Sequence, residues 1–143
     1  RSYNKPYSGR NDCHNRNEKM KKVVRMAGKF GLDYDYKENI FYVYSTEKRA
    51  DHSIEVGNLV VDVGTGGEVT GVEVFSASKT LTELTNRKIT RQGLKKISVA
   101  SLSSSSKNGA TIIRLLLQLE NGKAPATIAI QNPKYKSPAM AFA

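Results

Sequence analysis

Cys13, His14 and His52 are the only cysteine and histidine residues of the chain, so they are the first candidates for metal chemistry. A structural zinc site needs four ligands, and Cys13 and His14 are adjacent in a polar segment far along the chain from His52. We therefore expect Cys13 and His14 to be an exposed pair that holds no metal. The single cysteine also excludes an intramolecular disulfide, which suits a reducing cytoplasm.

Two groups of carboxylates could also do chemistry. Asp33, Asp35 and Glu38 have a spacing that could bind calcium, but the further ligands, the glycine and the flanking helices of a calcium-binding loop are missing. Asp62 and Glu73 could face each other on adjacent strands as a general acid and a general base. Strand alternation places both at outward positions, so we interpret them as solvated surface. Neither group predicts a metal or a cofactor.

Nucleophilic catalysis by the serine run 103–106 is the third possibility. This run lacks the glycine-flanked elbow of a nucleophilic serine, and neither histidine has a sequence context that ties it to a serine. The glycine-rich segment 64–67 lacks the Lys-Ser/Thr pair of a phosphate-binding loop and is interpreted as a turn. The sequence therefore predicts no catalytic residue, no enzyme and no small-molecule substrate.

Positive charge is the chemical feature that remains. The 143 residues carry a formal net charge of +10, distributed unevenly. Residues 1–29 contain nine Lys/Arg and two acids, residues 33–73 contain nine acids and three Lys/Arg, and residues 86–107 contain six Lys/Arg and no acid. Lysine and arginine clustered on one surface bind phosphates, and interleaved tyrosines can stack on bases. The predicted nucleic-acid-binding residues are Arg10, Arg16, Lys19, Lys21, Lys22, Arg25, Arg87, Lys88, Arg91, Lys95 and Lys96.

We therefore expect a non-enzymatic, basic protein that binds nucleic acid, with structured RNA or a ribonucleoprotein such as the ribosome as the favoured partner. Two alternatives stay open: a protein-interaction module, and a structural subunit that forms a homo-oligomer through strand edges and its basic arm. The basic arm could also fold back on the acidic strands of its own chain. Because no run of about 18 apolar residues exists, no membrane helix is predicted, and a cytoplasmic location is expected.

The elements that must position these residues are mostly short strands. The predicted strands lie at about 30–36, 40–46, 53–63, 69–76, 98–106, 110–120 and 123–131. The pairs Asn108-Gly109 and Asn121-Gly122 predict hairpin turns, since such turns need positive φ angles. Pro125, which has no backbone donor, suggests that the last strand lies at an edge.

Two short helices are predicted between the two groups of strands. Ser78 is expected to cap the first and Thr90 the second. The alternation of apolar residues in the strands, and their i, i+3 spacing in the helices, indicate which side of each element is buried. The predicted core residues are Val43, Val61, Val72, Val74, Leu81, Leu115, Leu117 and Ile128.

The runs between Asp33 and Lys79 follow a characteristic order. Tyr34-Asp35 precedes Ile40–Tyr44, Glu55-Val56-Gly57 begins a run that reaches Asp62, and Gly71–Ser78 follows. This order resembles the small prokaryotic family called domain of unknown function 2283, in a longer, archaeal-type version. The resemblance implies a strand-rich fold and almost no chemistry, because the family has no established activity. Small members of the family look like partners of toxin-like neighbours, so an antitoxin-like role is the form that the protein-interaction alternative would take.

The fold class predicted from these patterns is α+β, with two antiparallel β-meanders of four and then three strands, linked by one or two short helices. Three segments are expected along the chain. Residues 1–29 form a basic, flexible arm with a possible helical turn near Met20 to Met26, residues 30–133 form a single domain, and residues 134–143 form a C-terminal tail.

Overall fold

The computed structural model describes residues 22–27, by their backbone, and residues 29–131. Most of this part of the chain is strand, with two short helices. The strands are β1 (Lys22–Ala27), β2 (Phe30–Asp35), β3 (Ile40–Ser45), β4 (His52–Val56), β5 (Leu59–Val63), β6 (Val69–Val74), β7 (Val99–Lys107), β8 (Ala110–Leu119) and β9 (Gly122–Gln131). The helices are α1 (Ala77–Thr85) and α2 (Arg91–Lys95). Neither of these helices has the length and apolarity needed to cross a bilayer.

The strands form two antiparallel sheets. Sheet A has six strands in the order β1-β2-β3-β6-β5-β4, and sheet B has three in the order β7-β8-β9. The predicted antiparallel meanders and the helices between them are confirmed. The predicted strand count of four and three is wrong, because the first sheet is larger than the sequence patterns indicated.

One reason for the larger sheet is that the predicted strand 53–63 is two strands. Residues Gly57 and Asn58 form a tight turn in which Gly57 has a φ of 57°, so the chain reverses between β4 and β5. Glycine adopts this left-handed conformation without the steric penalty of a side chain. The two halves pair as a hairpin, from His52 opposite Val63 to Val56 opposite Leu59.

The other reason is β1, which lies within the segment that we expected to be a flexible arm with a helical turn. Its backbone pairs with β2, from Lys22 opposite Asp35 to Ala27 opposite Phe30. The prediction is wrong for residues 22–27, since the free edge of β2 offers unpaired backbone donors and acceptors that the preceding segment satisfies. The rest of the predicted arm and the predicted tail 134–143 lie outside the described residues.

The core lies between the two sheets, with α1 and α2 closing one end. Strand β7 packs across β2, β3 and β6, and α1 packs on β9. All the predicted core residues are buried, including Val43, Val61, Leu115 and Leu117 at 0% exposure. Alternation is clear in β8, where Leu116 between two buried leucines is 38% exposed. Strand β9 pairs only with β8, which confirms the edge position of Pro125.

The two hairpin turns of sheet B differ. Asn108 and Gly109 both have positive φ, at 55° and 79°, as the Asn-Gly pair predicts. In the second hairpin, Glu120 and Asn121 form the turn and Gly122, with a φ of 127°, already belongs to β9. The predicted turn is therefore shifted by one residue.

The helix boundaries follow local hydrogen bonds. Thr90 caps α2 as predicted, since its hydroxyl accepts a 3.0 Å hydrogen bond from the Gly93 N–H. Ser78 is not the N-cap of α1, because the helix begins earlier, after Ser76 in the left-handed conformation. The Ser78 hydroxyl instead accepts a 3.0 Å hydrogen bond from the side chain of Asn39. The turn between β2 and β3 thus determines where α1 starts.

Candidate nucleic-acid interface

Seven of the eleven predicted nucleic-acid-binding residues lie in the described part of the chain, in two groups. Arg10, Arg16, Lys19 and Lys21 lie outside the described residues. Lys22 and Arg25 belong to β1, where they pair with Asp35 and Leu32 of β2. The remaining five come together at the end of the sheets that α1 and α2 close. We call this group the basic end; it consists of Arg87, Lys88, Arg91, Lys95 and Lys96.

Arg87 fixes the loop between the two helices to sheet B. Helix α1 ends at Asn86, whose φ of 57° turns the chain away from the helix axis. The Arg87 guanidinium then donates hydrogen bonds to the backbone carbonyl oxygens of Lys123 and Asn121. The segment that begins at Lys88 is therefore held against the β8–β9 turn by contacts with backbone atoms.

Arg91 and Lys95 fix α2 to the turn between β2 and β3. Arg91 Nη1 donates a 3.3 Å hydrogen bond to the Tyr36 carbonyl oxygen, and Lys95 Nζ lies 4.3 Å from the centre of the Tyr36 ring. A cation at this distance from a ring face is attracted to it. The two residues are one helical turn apart on α2, so both reach the same tyrosine.

Lys88 and Lys96 are the exposed lysines of the basic end. Lys96 Nζ lies 3.9 Å from Glu120 Oε1, and both side chains are well exposed, at 60% and 70%. An exposed ion pair of this length contributes little to stability and is easily exchanged for another anion. The basic end thus combines anchored cations, which position the segment, with exposed cations that can meet a phosphate.

A second charged surface lies on the opposite side of sheet A from the core. It alternates with the core residues of the same strands, and we call it the acidic tyrosine face. It consists of Asp33 of β2, Tyr42 and Tyr44 of β3, Asp62 of β5 and Glu73 of β6. Tyr42 is the register partner of both Asp33 and Glu73, so aromatic and acidic side chains alternate across the strands.

Asp62 is the centre of this face. It is 1% exposed and accepts two hydrogen bonds of 2.6 Å, one from the Tyr42 hydroxyl and one from the Ser53 hydroxyl. Hydroxyl donors at this distance to a carboxylate form strong hydrogen bonds. They stabilise a charge whose removal from water would otherwise be costly.

Two strand glycines make room for the tyrosine rings. A Cβ atom on Gly71 would lie 2.8 Å from Asp62 Oδ2 and 3.1 Å from the Tyr42 ring, and one on Gly31 would lie 2.6 Å from the Tyr44 ring. The two rings therefore lie flat across neighbouring strands. They stack with centroids 4.9 Å apart and an interplanar angle of 26°.

Strand alternation predicts that Asp62 and Glu73 point outward and are solvated. Their direction is correct, but the interpretation is wrong, because Asp62 is 1% and Glu73 6% exposed. The signal that could have indicated this is glycine within strands, at Gly31 and Gly71, since such glycines often mark the close approach of another group. The acidic tyrosine face is thus a functional candidate that the distribution of charge along the sequence does not indicate.

His52, on the edge strand β4, lies apart from Asp35 and Glu38, which are on β2 and in the turn after it. His52 contacts Asp51, with 3.1 Å between Nδ1 and Oδ2, and faces a cavity of about 310 Å³ with the 64–67 turn and Thr111. Glu38 is exposed and Asp35 accepts hydrogen bonds from the backbone of the turn that follows it. Among the described residues, no cluster of three or more His, Cys, Asp or Glu side chains could hold a metal. Cys13 and His14 lie outside this part of the chain.

Comparisons with known proteins bear on one segment. Residues 32–78 match the family model described as "Protein of unknown function (DUF2283)", which confirms the resemblance in this region. An uncharacterized protein of Methanocaldococcus jannaschii is 29% identical over 51 residues, which is 36% of this chain and 44% of that protein. The match therefore spans less than half of the relative. No solved structure matches the chain.

The matched segment contains one of the two surfaces and not the other. It runs from β2 to the first turn of α1 and contains the whole acidic tyrosine face. The basic end, at residues 87–96, lies beyond it. The family likeness thus concerns sheet A, whereas the basic end belongs to the part of the chain outside the match.

Proposed function

We propose that the protein is a non-enzymatic RNA-binding protein whose basic end contacts phosphate groups. The observation that carries the proposal is the gathering of five cations, Arg87 to Lys96, at one end of the two sheets. Backbone contacts of Arg87 and Arg91 hold the segment in place. A segment that is already ordered loses less conformational freedom on binding than a free one.

The exposed cations favour the phosphate backbone over the bases. Lys88 and Lys96 are compact charges on flexible stems, which suit phosphate oxygens better than the fixed geometry of a base edge. Arg91 is exposed and uses one of its five N–H donors on Tyr36, so the others can reach a phosphate. We therefore expect binding that depends strongly on salt and weakly on RNA sequence, to structured RNA alone or in a ribonucleoprotein.

The test is the salt dependence of affinity for a labelled RNA hairpin, measured by fluorescence anisotropy. Each phosphate contact contributes about 0.7 to 0.9 to the slope of log affinity against log salt. The double variant Lys88→Gln, Lys96→Gln should lower the slope by about 1.4 to 1.8 on that basis. Its matched control is Lys48→Gln, Lys107→Gln, which removes the same charge from exposed lysines at the other end of the strands.

Equal loss of slope in the two double variants would contradict the proposal, because net charge and not the basic end would then control binding. Binding that persists unchanged at about 1 M salt, where the Debye length falls to about 3 Å, would also contradict it. A DNA duplex of the same length serves as the comparison for RNA preference.

Self-assembly is the second candidate, and a different observation favours it. Val99 and Leu116 are the large hydrophobic side chains that stand exposed in the described part of the chain, at 41% and 38%, and both lie on the outer face of sheet B. An exposed sheet face with free strand edges can pair with a second copy. Sedimentation across a range of protein concentrations tests this, and a species that stays monomeric throughout would contradict it.

A further inference from the structure

The two sheets of this protein differ in how their outer faces are covered. On β8, the central strand of sheet B, outward Arg114 is exposed and Leu116 is 38% exposed. On the central strands of sheet A, outward Tyr42 is 4% exposed and Glu73 6% exposed. Both sheets use their other face for the shared core, so the core does not account for this difference.

Lateral contacts within sheet A explain only part of this burial. Asp62, at 1% exposure, accepts hydrogen bonds from the hydroxyls of Tyr42 and Ser53, which cover part of its carboxylate. The stacked rings themselves, and Glu73 beside them, have one side directed away from the sheet. Flat rings on an open sheet keep that side in water. Tyr42 and Tyr44 are instead 4% and 5% exposed.

We infer that the acidic tyrosine face is a docking surface for the basic N-terminal segment, residues 1–21, of the same chain. The charges of the face and of the segment are complementary. The face and the neighbouring Glu55 present four carboxylates, and residues 1–21 contain six Lys/Arg against two acids. A carboxylate removed from water is stabilised by charge-assisted partners, which lysine and arginine provide.

The segment is attached at the edge of the same sheet. Residue 21 joins β1 at Lys22, which pairs with Asp35 at the edge of sheet A. The six strands span about 24 Å at the usual spacing of about 4.8 Å. Twenty-one extended residues reach about 70 Å, which is more than enough to cross all of them. The C-terminal residues after Gln131 leave from sheet B and carry only two lysines, so they fit this face less well.

The shape of this side of sheet A also suits a docked segment. A groove of about 540 Å³ lies on the β4–β6 half of the same side of sheet A, and Ser53, Glu55, Val60 and Glu73 line it. It offers carboxylates at its walls and an apolar surface at Val60. Side chains such as Tyr3, Tyr7 or Arg10, which combine an apolar body with a polar end, match this lining.

Cys13, the single cysteine of the chain, lies within the proposed occupant and provides the test. A nitroxide spin label on Cys13 of the full-length protein should broaden the amide signals of nearby residues in the NMR spectrum. We expect the signals of Gly71 and Glu73 to lose more than half of their intensity, and those of Arg114 and Thr127 on the outer face of sheet B to keep theirs. Uniform intensities on the two faces would overturn the inference.

Two further experiments define the contact. In about 0.5 M salt, where the Debye length is about 4 Å, the intensity of the sheet A signals should recover, since the contact is largely electrostatic. A mixture of isotope-labelled Cys13→Ser protein and spin-labelled protein of natural isotope abundance separates contact within one chain from contact between two copies. Broadening in the mixed sample would overturn docking within one chain and indicate exchange between copies.

A charge variant tests the acidic face directly. Glu73→Gln keeps the shape of the side chain and removes its charge, and Glu83→Gln on α1 is the matched control at an exposed position. We expect Cys13 to react several-fold faster with a thiol reagent in Glu73→Gln and at the wild-type rate in Glu83→Gln. Equal rates in all three proteins would overturn the inference. If Glu73→Gln does not fold, the salt recovery in the wild-type protein still decides the question. No RNA is present in these experiments, so their outcome is independent of the proposed RNA binding.

Discussion

The hydroxyl of Tyr42 donates a 2.6 Å hydrogen bond to Oδ2 of Asp62, twenty residues away in sequence and two strands away in sheet A. The bond passes over Gly71 of β6, the strand between them, where a Cβ atom would lie within 3.1 Å of both partners. Three strands of the segment that matches the family model are thus linked by one contact. The contact depends on a tyrosine, an aspartate and a glycine that lie far apart along the chain.

Tyr42→Phe should destabilise the protein by about 1–3 kcal/mol, the usual effect of leaving a buried charged acceptor with one partner fewer. Urea unfolding followed by circular dichroism measures the change. Tyr36→Phe is the control, because Lys95 contacts the Tyr36 ring and Arg91 its carbonyl oxygen, and both contacts should survive the loss of the hydroxyl. Equal stability of Tyr42→Phe and wild type would mean that the hydrogen bond makes no net contribution to the free energy of unfolding.

Gly71→Ala should be destabilising by about 1–3 kcal/mol, since the new methyl group would overlap the Asp62 carboxylate and the Tyr42 ring. Gly66→Ala is the matched control in the β5–β6 turn. There the nearest atom is the end of the Glu68 side chain, at 2.7 Å, and this side chain can move away. Similar losses in both variants would show that the strand glycine has no special role.

Leu117→Ala should lower the free energy of unfolding by about 2–5 kcal/mol, because Leu117 is fully buried between the two sheets. Its neighbour Leu116 points to the other face, and Leu116→Ala should change stability by about 0.5 kcal/mol or less. The two variants remove the same atoms from adjacent residues. A larger loss for Leu116→Ala would mean that the register of β8 is wrong by one residue.

Tyr34 should make the protein sensitive to alkaline pH. Burial raises its pKa from 10.0 to about 12, and its hydroxyl donates a 2.7 Å hydrogen bond to Asn39. Between these two values the unfolded chain loses the proton and the folded chain keeps it. The stabilisation is therefore complete below pH 10 and is lost as the pH rises toward 12.

The contribution of Tyr34 is on the order of 2–3 kcal/mol for a shift of this size. Urea unfolding at a series of alkaline pH values measures it. Tyr34→Phe, although less stable at neutral pH, should lose less stability over the same range. A parallel decline in the two proteins would assign the alkaline sensitivity to other groups.

Local sequence patterns determined most of the strands, their faces and the core. Alternation along β8 places Leu115 and Leu117 inward and Leu116 outward, as the structure has them. The pair Asn108-Gly109 forms the predicted turn, because its positive φ angles depend on the two residues themselves. Such features are readable from sequence, since they depend on neighbours along the chain.

Tertiary structure decided which strands pair and which side chains are buried. The pairing of β1 with β2 depends on a free strand edge, and the start of α1 depends on the Asn39 side chain, 39 residues before Ser78. Arg91 and Lys95 contact Tyr36, although more than fifty positions separate them from it along the chain. The outward direction of Asp62 and Glu73 followed from alternation, but their burial did not. A strand pattern records which side a residue faces, whereas its exposure depends on the distant groups that lie over that side.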